Sequence, residues 1–263
     1  MNFHARRFGR AASSYGEHSG VQTGMAESLL SLIPRGREPD PDSLLEFGCG
    51  TGILTRMLRA RFPAARILAT DASERMLAAA RLATPGAEID WQILDAMDGT
   101  PAPLPAWAAR GFALAASNAL VQWFPDLKPH FALAASCLAP RGIYLVSGFT
   151  PGNFPELNSL LREPPFAYSS FPGNSEADVA EAAAENGLSV ESWSEASATE
   201  IFPGPEQFLA AIKAMGSARR PETGKALTRA KLAGLIAAYR ERYGVPGGVR
   251  ATWKSWQACL RKP

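Results

Sequence analysis

Residues 43–52 read Ser-Leu-Leu-Glu-Phe-Gly-Cys-Gly-Thr-Gly, and Ile53-Leu54-Thr55-Arg56-Met57-Leu58 follow in helical register. Leu44 and Leu45 predict a short buried strand. Gly48, Gly50 and Gly52 predict a turn that lets the backbone approach a ligand closely. The helix that follows offers unpaired N–H groups and the positive end of its dipole to an anion. A second apolar run, Ile67-Leu68-Ala69-Thr70, ends in Asp71, 19 residues past Gly52. An acid about 20 residues beyond such glycines, at the end of the next strand, suits a pair of ribose hydroxyls. A bare strand-to-helix turn would explain the glycines but not the acid in its place.

Outward from this stretch the chain alternates. Strands are expected over 43–47, 66–70, 88–94, 111–117 and 143–149. Helices are expected over 52–62, 74–82 (with Ser73 as N-cap) and 127–138. Such alternation predicts an α/β fold, a doubly wound and mostly parallel sheet. Glu46 to Gly52, Asp71, Asp95 and Asn118 fall at the carboxyl ends of four strands, where such sheets bind ligands. Before the core, residues 2–33 read as two helical pieces, and Pro34–Pro41 as a linker. After Thr150 the rhythm stops. Pro151–Pro172 reads as a covering loop, 175–186 as a helix and 188–201 as a strand with Val190, Trp193, Ala196 and Ile201 loosely on one face. Helices at 205–216 and 228–243 follow, and a closing strand at 252–260. The domain reading is therefore 1–35 as an N-terminal helical lid, 36–150 as a ligand-binding core and 151–173 as a cap loop. Next come 174–201 as a core helix and strand, 202–249 as a basic helical insertion and 250–263 as the closing strand.

A chain of 263 residues, 46% hydrophobic, suits one large domain or a core with an insertion. No apolar run approaches the roughly 20 residues that span a bilayer, and no apolar segment follows the N-terminal arginines as a secretory signal requires. Cys49, Cys137 and Cys259 have no metal-like spacing, which points to free thiols in a reducing cytoplasm. Cys49, in the turn, reads as packing rather than as a nucleophile. The net charge of +2 hides an asymmetry: residues 201–263 carry 12 Lys+Arg against 3 Asp+Glu, a balance of +9. That excess suits an anionic partner, and a solvated basic face explains it equally well.

The spacing G-x-G-x-G preceded by Glu46, with Asp71 beyond, resembles class I S-adenosylmethionine-dependent methyltransferases. The resemblance implies a seven-stranded Rossmann-like sheet with a helical cap and S-adenosylmethionine as cofactor, S-adenosylhomocysteine being its product. Gly48, Cys49, Gly50 and the helix start would take the amino-acid end, and Glu46 would accept from its ammonium through water. Asp71, followed by Ala72, would accept from the ribose hydroxyls. Asp95 would accept from the adenine amino group, with the Ala96 N–H on the ring and Met76 and Leu94 sandwiching it. Asn118 completes the set. For Met76 plain core packing is the competing reading, and for Asp95 a turn cap. No metal is expected. A sulfonium is already electrophilic, so such a protein mainly aligns the acceptor and excludes water. His4, His18 and His130 form no base cluster, which a carboxylate acceptor would not need.

Further stretches resemble one family closely. These are Phe8–Gln22 (F-G-R-A-A-S-S-Y-G-E-H-S-G-V-Q), Ser117–Leu127 (S-N-A-L-V-Q-W-F-P-D-L), F-P-E-L at Phe154, Phe208–Ser217 and L-T-R at Leu227. Together they are similar to the malonyl-[acyl-carrier protein] O-methyltransferases of biotin synthesis. The resemblance implies that the acceptor is the free carboxylate of a malonyl thioester. Arg10, Tyr15 and Gln22 would belong to a lid. Trp123 would wall the acceptor pocket, Gln122 would bond the lid backbone, and Phe154, Phe166 and Phe171 would suit a pantetheine arm. For Tyr15 and Trp123 simple packing is the competing reading. Lys213, Arg219, Arg220, Lys225, Arg229 and Lys231 would dock the acidic carrier protein. A monomer without nucleic-acid or membrane partners is expected. The family often closes this region with threonine, an aromatic residue and histidine; here it is Ala251-Thr252-Trp253-Lys254, without the histidine. A methyltransferase of a free acid such as trans-aconitate, and a non-catalytic cofactor-binding protein, are the alternatives.

Overall fold

The computed structural model describes residues 20–34, 41–85, 88–97, 99–100, 103–166, 173–214 and 227–263. The chain forms two compact units. The first comprises the described residues up to Gly148 with Ser175–Ser194 and Trp256–Pro263. The second comprises Phe149–Asn174 and Glu195–Ser255.

The first unit opens with α1 (Gly20–Ser31) and then alternates: β1 (Ser43–Phe47), α2 (Ile53–Arg61), β2 (Arg66–Asp71), α3 (Glu74–Ala83), β3 (Ile89–Ile93), β4 (Phe112–Ser117), α4 (Lys128–Cys137) and β5 (Leu138–Phe149). The strand order is β3-β2-β1-β4-β5-β8-β6, where β6 is Ser189–Phe202 and β8 Gly248–Arg261. β1 pairs in parallel with both β2 and β4, as do β2 with β3 and β4 with β5. This is the doubly wound, mostly parallel sheet, turning back at β1 and β4, where a crevice opens beyond the strand ends. The alternation in the sequence produces it: Leu44, Leu45, Phe47, Ile67, Leu68, Leu114 and Ala115 are all buried, as strands covered on both faces require. Leu54 and Leu58 of α2 join Leu44, Ile67 and Leu145 in one apolar cluster; Phe131, Leu133 and Ala134 of α4 join Leu45, Phe112 and Val146 in another. α6 (Glu176–Glu185) is started by a capping box between Ser175 and Asp178.

β5 begins at Leu138 rather than at residue 143, because Leu138 pairs with Phe112 before the register shifts to Ile143 opposite Leu114. Pro140-Arg141-Gly142 lies in the bulge between them. Arg141 takes a φ of 65° there.

The second unit contains α5 (Pro155–Arg162), α7 (Pro205–Ala214), α8 (Arg229–Tyr243) and the two-residue strand β7 (Gly244–Val245), which pairs antiparallel with β8. β7 is an eighth strand where seven were expected. α5 corrects the reading of 151–172 as a loop. Pro155 sits at the first helical position, where its missing N–H costs nothing, and Leu157, Leu160 and Leu161 bury one face. The centre of this unit is aromatic: Phe154 packs edge-on against Trp253 at 4.6 Å and against Phe208 at 5.5 Å. Glu156 is buried beneath it, accepting from the N–H and Oγ1 of Thr252 at 3.0 and 2.6 Å. Ile201, expected on the apolar face of its strand, is instead exposed.

Candidate active site

The glycine turn lies where the sequence places it. Gly48, Gly50 and Gly52 all have positive φ, at 65°, 54° and 83°. A Cβ on Gly48 would meet Leu120 at 2.7 Å and one on Gly52 would meet Ala80 at 3.2 Å, whereas one on Gly50 would meet nothing within 4 Å. The outer glycines therefore pack against the protein, and the middle one faces open space that a ligand can fill. Gly52 caps α2 in a left-handed conformation without a side-chain hydrogen bond. Within the first turn of α2, Thr55 gives its backbone N–H to the buried Glu46 carboxyl. Cys49 donates its backbone N–H to Thr70 O at 2.8 Å, and its side chain is buried with Ala69, Leu77 and Ala80. Burial pushes the thiol well above its ordinary pKa, so it is no nucleophile.

Asp71 is bound into this turn. Its Oδ2 accepts from Gly50 N–H at 3.0 Å and its Oδ1 from Ser73 N–H at 2.8 Å. Ser73 caps α3 by accepting from Met76 N–H, as expected, and Ala72, half-buried, lies between. Burial raises the Asp71 pKa; the two N–H groups oppose that, and the charge of Asp95 adds to it. Glu46, in mid-strand, is 1% exposed. Burial first and the Asp71 charge further down push its pKa up to about 8, against a hydrogen bond of 2.6 Å from Thr55 Oγ1. Thr55, on α2 and buried, is a site residue the sequence reading passed over; its place nine residues after Glu46, one helical turn into α2, is the signal that would have found it. The charge of Asp71 thus acts on Glu46 and that of Asp95 on Asp71, so three acids are linked at or near these strand ends.

Beyond β3, Leu94 N–H bonds Asp71 O at 3.1 Å, and Asp95 Oδ1 accepts from Met97 N–H at 3.1 Å. The turn-capping reading of Asp95 is therefore real, alongside any ligand role. Ala96 is buried. Met76 needs correcting: at 2% exposed, it has almost no surface for a ring. Leu94 is half-buried, and Ile93, the register partner of Asp71, is 58% exposed, so Ile93 is the apolar surface the sequence reading missed.

At the end of β4, Asn118 Nδ2 donates to Gln22 O at 2.9 Å, and its Oδ1 accepts from Ser147 Oγ at 2.7 Å. Asn118 thereby ties α1 to the sheet. This is the role expected of Gln122, whose Nε2 instead donates to Ala119 O at 2.5 Å. The Gln122 Oε1 is buried and finds no donor among the described residues. Ala119 stands between them with a φ of 51°, strained for a residue with a Cβ. Trp123 closes a 3₁₀ turn, Val121–Trp123. Gln22 is buried on α1. Arg10, Tyr15, Arg219, Arg220, Lys225 and Phe171 lie outside the described residues.

The basic C-terminal region is less free than its composition suggests. Arg240 pairs with Glu206 and Arg242 with Glu163, both exposed; Arg261 pairs with Glu191. Lys262 Nζ donates to Ala135 O and Leu138 O at the end of α4. Lys213 and Arg229 are exposed. Phe154 and Phe166, expected to line an acyl channel, are buried as core of the second unit. Among the described residues no cluster of His, Cys, Asp and Glu could hold a metal, and no helix is long and apolar enough to cross a membrane.

Residues 44–142 match a family model described as a methyltransferase domain. The fold is that of the YcgJ protein from Bacillus subtilis, with a TM-score of 0.61 at 16% identity over 90% of this chain and 98% of that one. Turn, acids and fold together define an S-adenosylmethionine-dependent methyltransferase. The chain is 31% identical to the malonyl-[acyl-carrier protein] O-methyltransferase of Brevibacillus brevis over 94% of its own length and 91% of the relative's. To the protein of that name from Geobacter sulfurreducens it is 30% identical, over 94% and 93%. It belongs to the malonyl-[acyl-carrier protein] O-methyltransferase family.

Proposed function

We propose that this protein methylates the free carboxylate of a malonyl group carried on acyl carrier protein, a step toward biotin. The observation that carries the reading is the extent of the likeness: it runs through both units rather than the cofactor half alone. When bound, S-adenosylmethionine supplies an electrophilic methyl group on sulfur. The open face of Gly50 and the positive dipole end of α2 suit its carboxylate. Glu46, buried and beside the like charge of Asp71, suits the ammonium through water. Asp71 would hold the ribose hydroxyls, and Asp95 with the Ala96 N–H the adenine, with Leu94 and Ile93 as apolar walls.

Methyl transfer to a carboxylate forms an O–C bond as the C–S bond breaks, and no proton moves. The described residues fit that economy. His130 is buried, its pKa pushed down to about 4 by burial, and both its ring nitrogens are hydrogen-bonded within the protein. Burial raises the thiols and the phenols of Tyr144 and Tyr239. None of these is a base in waiting. Tyr15, Arg10 and Trp123 are assigned by family pattern to the acceptor side, and Gln122 Oε1 is an acceptor there for a donor.

Carrier-protein docking is supported by α8. Arg229 and Lys231 occupy its first turn, a turn that holds no acidic residue of its own, at the end where the helix dipole disfavours cations. An acidic partner relieves that placement. With Lys213 at the end of α7, they flank the stretch that holds Arg219, Arg220 and Lys225.

The test is transfer from labelled S-adenosylmethionine to malonyl-acyl carrier protein, malonyl-coenzyme A and trans-aconitate side by side. Preference for the carrier-protein substrate is expected. Transfer to trans-aconitate alone would keep the cofactor site and discard the acceptor, and cofactor binding without transfer would favour a non-catalytic protein.

A further inference from the structure

Behind the strand ends runs a line of hydrogen bonds that methyl transfer does not use. His130 Nδ1 lies 3.2 Å from Ala96 O, His130 Nε2 lies 2.6 Å from Tyr144 Oη, and Tyr144 Oη lies 2.7 Å from Ser117 Oγ. All three side chains are fully buried. The direction of donation follows from chemistry. A carbonyl oxygen only accepts, so Nδ1 carries the proton. In a neutral imidazole Nε2 then accepts, so Tyr144 donates to His130 and Ser117 donates to Tyr144. Phe47 and Phe124 pack their rings against the imidazole at 5.2 and 4.8 Å.

A polar line in such surroundings is a poor way to gain stability, since well-packed apolar residues would do as well. What it does is reach one peptide. The Ala96–Met97 peptide is held at its oxygen by His130 and at its N–H by Asp95 Oδ1, and the loop's first residue, Leu94, is held by Asp71 O. The far end of the line, Ser117, adjoins Asn118, which holds α1.

We propose that His130, backed by Tyr144 and Ser117, is a positioning residue for the purine end of the methyl donor: it fixes the Ala96–Met97 peptide and thereby aims the Asp95 carboxylate. The inference rests on the assignment of Asp95 and Ala96 to adenine made above. It assigns His130 no contact with the cofactor and no proton transfer.

The experiment compares binding of S-adenosylhomocysteine and S-inosylhomocysteine, whose purine lacks the 6-amino group, by calorimetry. His130→Asn keeps a donor near the Nδ1 position and loses the link to Tyr144; His130→Gln keeps the reach of Nε2 and loses the donor to Ala96. His130→Gln is expected to weaken S-adenosylhomocysteine about tenfold and to lower its preference over the inosyl analogue, a loss of the size one buried hydrogen bond gives. His130→Asn should recover most of that loss at a similar melting temperature. Equal behaviour of the two variants would overturn the proposal. Asp95→Ala separates the premise from the inference. If it leaves the adenine preference intact, the purine does not lie on this loop and both fall. If it abolishes the preference while His130→Gln does not, only the role of His130 falls. Should the His130 variants fold poorly, nitrogen NMR of the unaltered protein at neutral pH still decides: a proton on Nδ1 is expected, and a proton on Nε2 would sink the line as drawn.

Discussion

In the first unit the buried polar centre is a carboxylate, Glu46, with Thr55 as its one short contact and Asp71 raising its pKa further. In the second, the buried carboxylate of Glu156 accepts from Thr252 and lies beside Arg250 at 3.8 Å, in a unit whose rings pack edge-on. Each acid accepts from the hydroxyl and the backbone of one threonine; what differs is the charge beside it, since Asp71 outweighs Arg56 at Glu46 whereas Arg250 lies at Glu156. Burial and hydrogen bonds alone thus do not set the two acids apart; a like charge beside a buried carboxyl does. The second unit is organised for packing, with its charges at the surface in pairs such as Arg242–Glu163, which contribute about 1 kcal/mol at most.

The contrast can be broken most forcefully in the second unit. Trp253→Ala removes the ring that Phe154 and Phe208 pack on and the donor to Glu200 Oε2. A loss of about 3–5 kcal/mol is expected, read by denaturant unfolding, while S-adenosylhomocysteine affinity under folding conditions stays within about threefold, as for one surplus kcal/mol or less. A parallel collapse of affinity would mean that the cofactor site depends on the aromatic core. In the first unit, Asp71→Ala should cost about 100-fold in S-adenosylhomocysteine affinity, the size of two charge-assisted hydrogen bonds. A fall of less than fivefold by calorimetry would remove Asp71 from the ribose.

Charge reversal of Lys213 and Arg229 together tests the exposed face. kcat/KM for malonyl-acyl carrier protein should drop about tenfold at low salt, through association, and little at high salt. Malonyl-coenzyme A should be used as before; an equal drop with both would argue against docking.

A further effect lies in pH. Folded Glu46 keeps its proton up to about pH 8, while the unfolded chain releases it near the ordinary 4.5. Between those values the native state binds more protons, so stability without cofactor falls as pH rises. Melting curves of the unaltered protein at pH 5, 6.5 and 8 should show that decline relative to Glu46→Gln, which has no proton to lose. Parallel curves would mean that Glu46 ionises normally and is met by a partner.

Where sequence and structure part is instructive residue by residue. The glycine turn and the acid at Asp71 were legible because a turn at positive φ and an acid at a strand end leave few other uses for those residue types. The strand–helix alternation was legible because period-two and period-3.6 burial are local patterns. α5 was missed because proline and phenylalanine drew attention from the Leu157, Leu160, Leu161 face. Gln122 and Asn118 exchanged expected roles because both are amides a few residues apart, and only the φ of Ala119 decides which one faces α1. The +9 balance was read without Glu163 and Glu191, which lie earlier in the chain and neutralise Arg242 and Arg261.

The sequence by itself determined the fold class, the place of the glycine turn and the three acids at or near the strand ends, since each follows from residue types at fixed local spacing. Only the tertiary structure decided which groups bind each of those acids, which cations are already paired, and that His130, Tyr144 and Ser117 meet in one line. These are facts of contact between residues far apart in the chain, and no local periodicity encodes them.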